Sequence, residues 1–425
     1  MVNERFVLVA VHGGAGFHSK SPEAVEEVKN AMKLACSSGI QVFQDTEHNC
    51  PLDAVEASIV LLENDPCLNA GYGSNLTLHG RVECDAAIMS GETSDFGSVG
   101  ALEGVKNPIK AARCILEHSR LTQPLGRVPP LTLVSTGAYS FCASHGIPTL
   151  PAGSSLVSPR AHSQWCNWKK RLEEAQSDPS HSMTFSNSQH PPSGTRQENT
   201  MMQDTVGALA FDNVGGIAAG VSSGGLLLKY PGRIGEAAIY GSGCYAFSSE
   251  DGNVKVACSV SGTGEHITRH TLAKQICDQV AASYSPSPSS SASGSHSSKL
   301  NSENSGSDSD ESLLGTIQDT PDTHSILHDV LSSFYKSTFQ KQHEPNPSAG
   351  VLLFVNSGEE KDPERRLWCA FTTESMAVGW ACSFSKVEEG QEKIRTKILR
   401  RSPTTAKSDS LKEKVYICTL PIDTD

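Results

Sequence analysis

The sequence lacks the short motifs that mark most metal and nucleotide sites. Its fifteen histidines form no HExxH pattern, and its glycines form neither GxGxxG nor GxxxxGKS. The run Gly13-Gly14-Ala15-Gly16 has no lysine of the kind that phosphate loops need. The thirteen cysteines are odd in number and contain no CxxC pair. We therefore expect no zinc site, no disulfide framework and a reducing compartment.

Positive charge is also scarce. The chain has 35 Lys and Arg against 47 Asp and Glu, a net charge of −12, whereas nucleic-acid-binding proteins need a basic surface. The first apolar run, Phe6–Val11, spans only six residues, which is too short for a signal peptide or a membrane span. These features predict a soluble, intracellular protein with no direct nucleic-acid partner and no membrane partner.

Two stretches are poor in apolar residues. Residues 176–203 are rich in Ser, Pro, His, Asn and Thr, and residues 285–312 are rich in serine and end in an acidic run. Such stretches cannot bury enough surface to offset their ordering entropy. We interpret the first as a linker between two halves, residues 1–204 and 205–425, that together form one structural domain. The second is expected to be a surface insertion, and the charged tail from about residue 387 to be frayed.

Strand-like and helical patterns alternate in both halves of the 425-residue chain, which indicates the α/β or α+β class. Strands are predicted at 6–11, 81–89, 205–211, 216–221, 234–240, 254–260, 351–356 and 367–380. Helices are predicted from Ser21-Pro22 to about residue 35, and at 52–63, 108–118, 138–144, 265–283 and 325–339.

Thr205 directly follows the predicted linker and opens a strand-like stretch. Cleavage of the Asp204–Thr205 bond would place a free α-amine beside the threonine hydroxyl. An α-amine titrates near pH ~8, so it can accept the hydroxyl proton at neutral pH without a histidine. Because an isolated Asp-Thr pair is common, this prediction depends on what surrounds it.

Four polar groups could converge on Thr205. Hydroxyls of Ser222–Gly225 could hydrogen-bond the nucleophile, Arg233 offers a fork for a carboxylate, and the turn Ser259–His266 offers backbone N–H groups. Asn69 could donate its amide to an oxyanion. Each has a plainer interpretation: a simple turn, a surface arginine paired in a strand, or a glycine-rich turn of low specificity. His266 is a weak candidate for a base.

In order along the chain, these elements resemble the asparaginase-like branch of the N-terminal-nucleophile hydrolases, and within it the threonine aspartases. The similarity covers most of the chain outside the two low-complexity stretches and the tail. In the first half it is carried by residues 12–16, 69–75, 83–89, 106–108, 126–130, 137–139 and 145–148, and in the second by 204–207, 222–225, 231–233, 262–266 and 372–376.

The resemblance implies a four-layer αββα sandwich of the α+β class, made as a precursor that cuts itself between Asp204 and Thr205. It implies that Thr205 is the nucleophile and that Ser223 and Ser261 are the hydroxyl residues that bond it. Asn69 falls at a position of substrate-amine or oxyanion contacts. Small-substrate members usually carry Thr at the two serine positions.

On the substrate side, the resemblance implies that Arg233 holds a substrate carboxylate and that Gly262 contacts the substrate amine or the oxyanion. Small-substrate members usually read Gly-Arg-Val-Gly-Asp-Ser-Pro, and their aspartate holds the free amine of an amino acid. This chain has Glu236 at that place, followed by Ala237-Ala238. We interpret the change as room for an upstream peptide.

The leading functional hypothesis is therefore a self-activating threonine endopeptidase that cuts after aspartate in protein substrates. The resemblance implies that these substrates are nuclear regulators of transcription, including trithorax-type histone methyltransferases and a general transcription factor subunit. The first alternative is an L-asparaginase or isoaspartyl peptidase with the same residues. The second is a non-processing pseudoenzyme in which the acidic serine-rich stretch mediates interactions.

The resemblance implies no catalytic metal or other cofactor, although the stretch Leu62–Gly73 resembles a loop that binds a structural sodium ion in some relatives. The two halves are expected to stay associated after cleavage, and a homodimer of the processed pair is left open. The cluster Lys169-Lys170-Arg171 is either a solvated helix face or an import signal. The nuclear substrates of the family favour a location in nucleus and cytoplasm.

Overall fold

The structure is a computed structural model that describes nine stretches of the chain. The described residues are 5–44, 49–151, 156–177, 205–284, 322–339, 347–359, 362–384, 393–401 and 414–422. Residues 178–203 of the predicted linker at 176–203 and the whole predicted insertion at 285–312 lie outside them. Residues 176–177 of the predicted linker end a helix.

Helices and strands alternate along the described chain. The helices are α1 (Pro22–Val42), α2 (Pro51–Asn64), α3 (Pro108–Ser119), α4 (Ser135–Ser144), α5 (Pro159–Ser177), α6 (Gly264–His270), α7 (Leu272–Tyr284) and α8 (Thr323–Phe339). The strands are β1 (Phe6–Gly16), β2 (Cys84–Ser90), β3 (Phe96–Leu102), β4 (Thr132–Val134), β5 (Val206–Asp212), β6 (Gly216–Ser223), β7 (Cys244–Ser248), β8 (Val254–Gly262), β9 (Ala349–Ser357), β10 (Glu364–Phe371), β11 (Ser375–Phe384), β12 (Arg395–Arg400) and β13 (Tyr416–Leu420).

The strands form two sheets. The larger has the order β12-β11-β1-β5-β6-β2-β3-β4, and the smaller has the order β13-β10-β9-β8-β7. Neighbouring strands are antiparallel except for the β3–β4 pair. In the larger sheet, β1 from the first half lies between β5 and β11 from the second half, so one sheet joins both halves.

Strand β1 shows why the sheets stack. Successive side chains of a strand point to opposite faces, and both faces of β1 are apolar. Val7, Val9 and Val11 belong to the core under helices α1 to α3, whereas Phe6 and Leu8 belong to the core shared with the smaller sheet. The apolar run Phe6–Val11 therefore fills two cores at once.

Helices cover the outer face of each sheet. Helices α1, α2 and α3 pack on the larger sheet, and α7 and α8 pack beside the smaller one. Apolar side chains of α7 and α8, among them Ile276, Val280, Leu327 and Leu331, join the core of the smaller sheet. The predicted α+β class and four-layer αββα sandwich are confirmed.

Three predicted elements differ from the structure. The predicted strand at 234–240 is a loop with a 3₁₀ turn, Glu236–Ala238, because the Asp85 carboxylate rather than a neighbouring strand accepts the N–H of Gly235. The predicted helix at 265–283 is two helices, separated by left-handed Thr271 at φ 44°. The predicted strand at 367–380 is the hairpin of β10 and β11, which turns after Phe371.

The expectation of a frayed tail is wrong for two of its stretches. Strand β12 pairs with β11 along Arg395–Arg400, and β13 pairs with β10 along Tyr416–Leu420. Each strand extends the edge of a sheet, which satisfies backbone groups that the edge would otherwise expose. Charged side chains on an edge strand therefore did not indicate disorder.

The basic cluster lies on helix α5. Lys169 and Lys170 lie 3.8 Å from Glu173 and Glu174, one helical turn further on, and the Arg171 guanidinium lies 5.0 Å from the Trp168 ring centre.

Among the described residues, no helix is long and apolar enough to span a membrane.

Candidate active site

Thr205 lies immediately before β5, at the middle of the larger sheet. Its neighbours in that sheet are β1 on one side and β6 on the other. Thr205 is 1% exposed. The predicted nucleophile is therefore buried between strands that come from both halves of the chain.

Three polar side chains surround Thr205. Its backbone N–H donates to Ser261 Oγ at 3.1 Å. Its hydroxyl oxygen lies 3.1 Å from Ser223 Oγ and 2.6 Å from Glu236 Oε1. The structure thus brings together Thr205, Ser223, Ser261 and Glu236, which the sequence analysis had selected separately.

The turn after β6 is braced by Asn69. Gly225 donates its N–H to Ser223 Oγ at 3.0 Å. Asn69 Nδ2 donates to the Gly225 carbonyl at 2.9 Å, and the Asn69 carbonyl accepts the N–H of Gly224. Asn69 therefore supports the turn that carries Ser223, and its predicted donation to an oxyanion stays a prediction.

Ser261 and Gly262 end strand β8. Besides the N–H of Thr205, Ser261 Oγ accepts the N–H of Ala15, also at 3.1 Å. Gly262 has φ +146°, and a Cβ there would clash with the Ser348 carbonyl. The position therefore requires glycine, because its backbone packs closely against Ser348, the residue before β9.

Arg233 lies in the loop between β6 and β7, not in the predicted strand. Its guanidinium is held along one edge by Glu265: Nε lies 2.8 Å from Oε1, and Nη2 lies 2.7 Å from Oε2. Arg233 is 14% exposed and Glu265 is 43% exposed. The ion pair therefore sits at the border between the buried site and solvent.

Three glycines surround the other edge of the Arg233 guanidinium. A Cβ at Gly225 or Gly235 would lie 3.0 Å from Nη1, and one at Gly264 would lie 2.9 Å from Nη2. Glycine at these three positions avoids a collision between a side chain and Nη1 or Nη2. A planar carboxylate can use such an edge through two parallel hydrogen bonds.

Two acidic residues of the first half fix the Arg233 loop. The N–H of Gly232 donates to Glu83 Oε2 at 2.7 Å, and the N–H of Gly235 donates to Asp85 Oδ2 at 2.8 Å. These bonds flank Arg233 and divert the loop from a sheet ladder. Burial raises the pKa of Asp85, against the charges of Lys229 and Arg233.

Glu236 follows directly in the 3₁₀ turn and is 3% exposed. Burial raises the pKa of its carboxyl, while the Thr205 hydrogen bond and the charge of Arg233 act in the opposite direction. Its Oε2 lies against Gly264, where a Cβ would come within 2.5 Å. The carboxylate thus bridges the arginine loop and the predicted nucleophile.

Two buried groups near the site were not selected from the sequence. His12 Nε2 lies 2.8 Å from Ser259 Oγ, and burial lowers the His12 pKa to about 3, so the ring is neutral at neutral pH. Glu63 Oε1 accepts bonds from Ser222 Oγ at 2.7 Å and from the N–H of Ile109 at 2.9 Å. The only sequence signal for either was a polar residue within an apolar element.

The weak candidate His266 lies in α6, with its Nδ1 3.5 Å from Arg269 Nη1. No cluster of three or more His, Cys, Asp or Glu side chains in the described part of the chain could hold a metal ion. The predicted sodium loop offers backbone carbonyl oxygens instead of such side chains. Backbone carbonyls of Glu63, Asp65 and Leu68 face Gly71 and Gly73, where side chains would collide with them, and such oxygen donors fit a hard cation.

Comparison with known proteins identifies the family. The family profile described as asparaginase (Asparaginase_2) matches residues 5–306. This chain belongs to that asparaginase family. The family has the N-terminal-nucleophile hydrolase fold, and the chain is a hydrolase of that type.

The named relatives are asparaginase-family enzymes. The chain is 36% identical to the isoaspartyl peptidase/L-asparaginase of Bos taurus over 63% of this chain and 74% of that protein. It is 35% identical to the corresponding protein of Homo sapiens, with the same coverage. It is also 35% identical to the plant-type L-asparaginase of Pyrococcus horikoshii, over 64% of this chain and 79% of that protein.

Proposed function

We propose that this asparaginase-family chain is an endopeptidase of the threonine aspartase (taspase) type. It cuts its own Asp204–Thr205 bond and then cuts protein substrates after aspartate. The observation that carries the proposal is the contact between Glu236 and Thr205, at 2.6 Å. The residue that stands where small-substrate members hold a free amine is turned onto the nucleophile.

Arg233 supplies the clamp for the substrate aspartate. Glu265 fixes one edge of the guanidinium, and the edge near Gly225, Gly235 and Gly264 is left for a carboxylate. In an Asp–X peptide the side-chain carboxylate fills this clamp while the main-chain carbonyl faces Thr205. In an isoaspartyl substrate the α-carboxylate would fill the same clamp, so Arg233 alone does not discriminate.

Protein and small substrates differ at the nitrogen of the residue whose carbonyl is attacked or whose carboxylate is bound. A protein substrate has an amide there, and only a small substrate has a charged amine that needs a carboxylate. Glu236 has no oxygen left to bind such an amine, because its Oε1 accepts the Thr205 hydroxyl and its Oε2 packs against Gly264. Ala237 and Ala238, which follow, are small and fully buried.

After cleavage, the α-amine of Thr205 accepts the hydroxyl proton and the oxygen attacks the substrate carbonyl. The hydroxyls of Ser223 and Ser261 lie where they orient the threonine oxygen and nitrogen. Gly262 and Asn69 are the proposed sources of substrate or oxyanion contacts. The two halves stay together because β1 is paired with β5 and β11 in one sheet.

The relatives favour a second candidate function. Their printed names are isoaspartyl peptidase/L-asparaginase and plant-type L-asparaginase, which supports hydrolysis of small substrates better than the endopeptidase. The arginine clamp beside Thr205 suits either activity. The candidates therefore differ in one measurable property, the substrate that the processed enzyme prefers.

Substrate competition tests the proposal. The processed chain would be given a long peptide with one internal Asp–Gly bond, free asparagine and a β-aspartyl dipeptide, with Thr205→Ala as the blank. We expect the highest kcat/KM for the peptide and no cutting of a matched peptide with Glu for Asp. Preference for asparagine or the β-aspartyl dipeptide would establish the second candidate instead.

Three further proposals concern a structural cation, the substrates and their location, and the oligomeric state. The backbone carbonyls around Gly71 and Gly73 would hold a structural cation such as sodium. The substrates are transcription regulators, met in nucleus and cytoplasm. A homodimer of the processed pair stays a prediction that size measurement in solution can check.

A further inference from the structure

The proposed self-cleavage raises a chemical problem in the uncut chain. Before the bond is cut, the nitrogen of Thr205 is an amide, and its N–H donates to Ser261 Oγ at 3.1 Å. An amide nitrogen is not a base at neutral pH, and the α-amine that serves the mature enzyme forms only when this bond is cut. The first attack by Thr205 needs another base.

The hydrogen bonds around the Thr205 hydroxyl identify the group in contact with its proton. A hydroxyl has one hydrogen, so Thr205 can donate to only one of its two neighbours. Glu236 Oε1, at 2.6 Å, is acceptor-only when ionised, whereas Ser223, at 3.1 Å, can donate its own hydrogen to the threonine oxygen. Ser223 Oγ already accepts the N–H of Gly225. The hydrogen of Thr205 therefore points to Glu236.

We propose that Glu236 is the general base that activates Thr205 for self-cleavage. This inference rests on the proposed self-cleavage but not on the identity of the later substrate. Among the described residues, Glu236 is the titratable side chain hydrogen-bonded to the threonine hydroxyl. His12 is the alternative base, since it also lies near the Thr205 backbone, but its ring bonds Ser259 Oγ and burial lowers its pKa to about 3.

The carboxylate is held for this role from several sides. Asp85 binds the N–H of Gly235, the residue before Glu236, and Gly264 leaves room for Oε2. The charged groups that face Glu236 are Arg233, which favours the carboxylate, and Asp85, which disfavours it; burial disfavours it most. The raised pKa makes Glu236 a stronger base than an exposed carboxylate.

The step balances in atoms and charge. Glu236 takes the hydroxyl proton as Thr205 Oγ1 bonds to the carbonyl carbon of Asp204. The oxyanion collapses, the Asp204–Thr205 C–N bond breaks, and the proton passes from Glu236 to the leaving nitrogen. Water then hydrolyses the resulting ester, which gives a free Asp204 carboxyl and a free Thr205 α-amine with its hydroxyl restored.

The test follows self-cleavage of the full-length chain over time by intact mass and denaturing gel, from pH 5 to 9. In the wild type the rate should rise with pH as Glu236 ionises and then level off. Glu236→Gln keeps the shape but removes the base, so cleavage should slow by about 100-fold or more and lose that pH dependence. Glu236→Asp, which retains a carboxylate, should fall between them and keep a pH-dependent rate.

The matched control is Glu56→Gln, the same change at a partly buried glutamate of helix α2, whose neighbouring charged groups include Arg113, Lys110 and Asp53. It should self-cleave within a few-fold of the wild type, and near-ultraviolet circular dichroism would show that each variant is folded. Glu236→Gln cleaving at the wild-type rate, or slowly with the wild-type pH profile, would overturn the inference. If the wild-type chain never yields a fragment that begins at Thr205, the proposed function itself is wrong.

Discussion

Arg233 and Glu265 form a two-point ion pair across the mouth of the site, with N–O distances of 2.8 and 2.7 Å. The pair fixes the plane of the guanidinium and leaves Nη1 facing Gly225 and Gly235. Because burial of Glu265 is only partial, this geometry contributes more to orientation than to stability.

Loss of Glu265 should weaken substrate binding. In Glu265→Ala the arginine gains rotational freedom, so we expect KM for an Asp–X peptide to rise several-fold while kcat stays within about two-fold, since an ordering cost is then met on binding. Steady-state kinetics of the processed enzyme measure both. A lower KM would show instead that Glu265 competes with the substrate for Arg233.

Loss of Arg233 should affect aspartate recognition much more strongly. A charge-assisted hydrogen bond contributes about 1.5–3 kcal/mol, so Arg233→Ala should reduce kcat/KM for the Asp–X peptide by roughly 10- to 150-fold or more. Arg233→Lys should be intermediate because it keeps the charge without the fork. Equal activity in all three proteins would remove Arg233 from the clamp.

Thr205 should be required for both cleavage events. Thr205→Ala should remain a single chain and be inactive, while Thr205→Ser, which keeps a hydroxyl, should still self-cleave. N-terminal sequencing of the second fragment from the wild type should begin at Thr205. A fragment that begins elsewhere would contradict the assignment of the nucleophile.

Gly264 should be intolerant of a side chain. A Cβ there would lie 2.5 Å from Glu236 Oε2 and 2.9 Å from Arg233 Nη2, so Gly264→Ala should slow self-cleavage and raise KM together. Gly137→Ala is the control, because a Cβ there meets nothing within 4 Å. Unchanged rates in Gly264→Ala would show that the carboxylate and guanidinium have alternative positions.

Glu63 should make stability depend on pH. Burial raises its pKa from 4.5 to about 8, so between these values the folded chain holds a proton that the unfolded chain has lost. The contribution of this group is full below pH 4.5 and decreases by about 1.4 kcal/mol per pH unit as pH rises towards 8. Glu63→Gln mimics the protonated form and lacks this loss.

Urea unfolding from pH 5 to 8 checks this effect, with both proteins in the Thr205→Ala background to keep one chain. The wild-type free energy of unfolding should fall relative to that of Glu63→Gln as pH rises. A constant difference across this range would mean that Glu63 is ionised in the folded chain.

The sequence by itself determined the local elements and the candidate residues. The apolar run Phe6–Val11 predicted β1, and a hydroxyl at Ser223 and another at Ser261 were expected beside Thr205, where the structure places them. These predictions succeeded because they depend on short-range periodicity and on an ordered set of motifs that resembles a family. The class and the layered fold followed from the same information.

Only the tertiary structure decided how those residues are used. The Arg233 loop was predicted as a strand because the residues around Arg233 are mostly apolar, but Glu83 and Asp85, about 150 positions earlier, bind its N–H groups. The pairing of Arg233 with Glu265 and the turn of Glu236 onto Thr205 likewise join residues that are about 30 positions apart. Hydrogen bonds between distant segments leave no periodic trace in sequence, so the direction of each charged side chain became visible only once the two sheets had packed together.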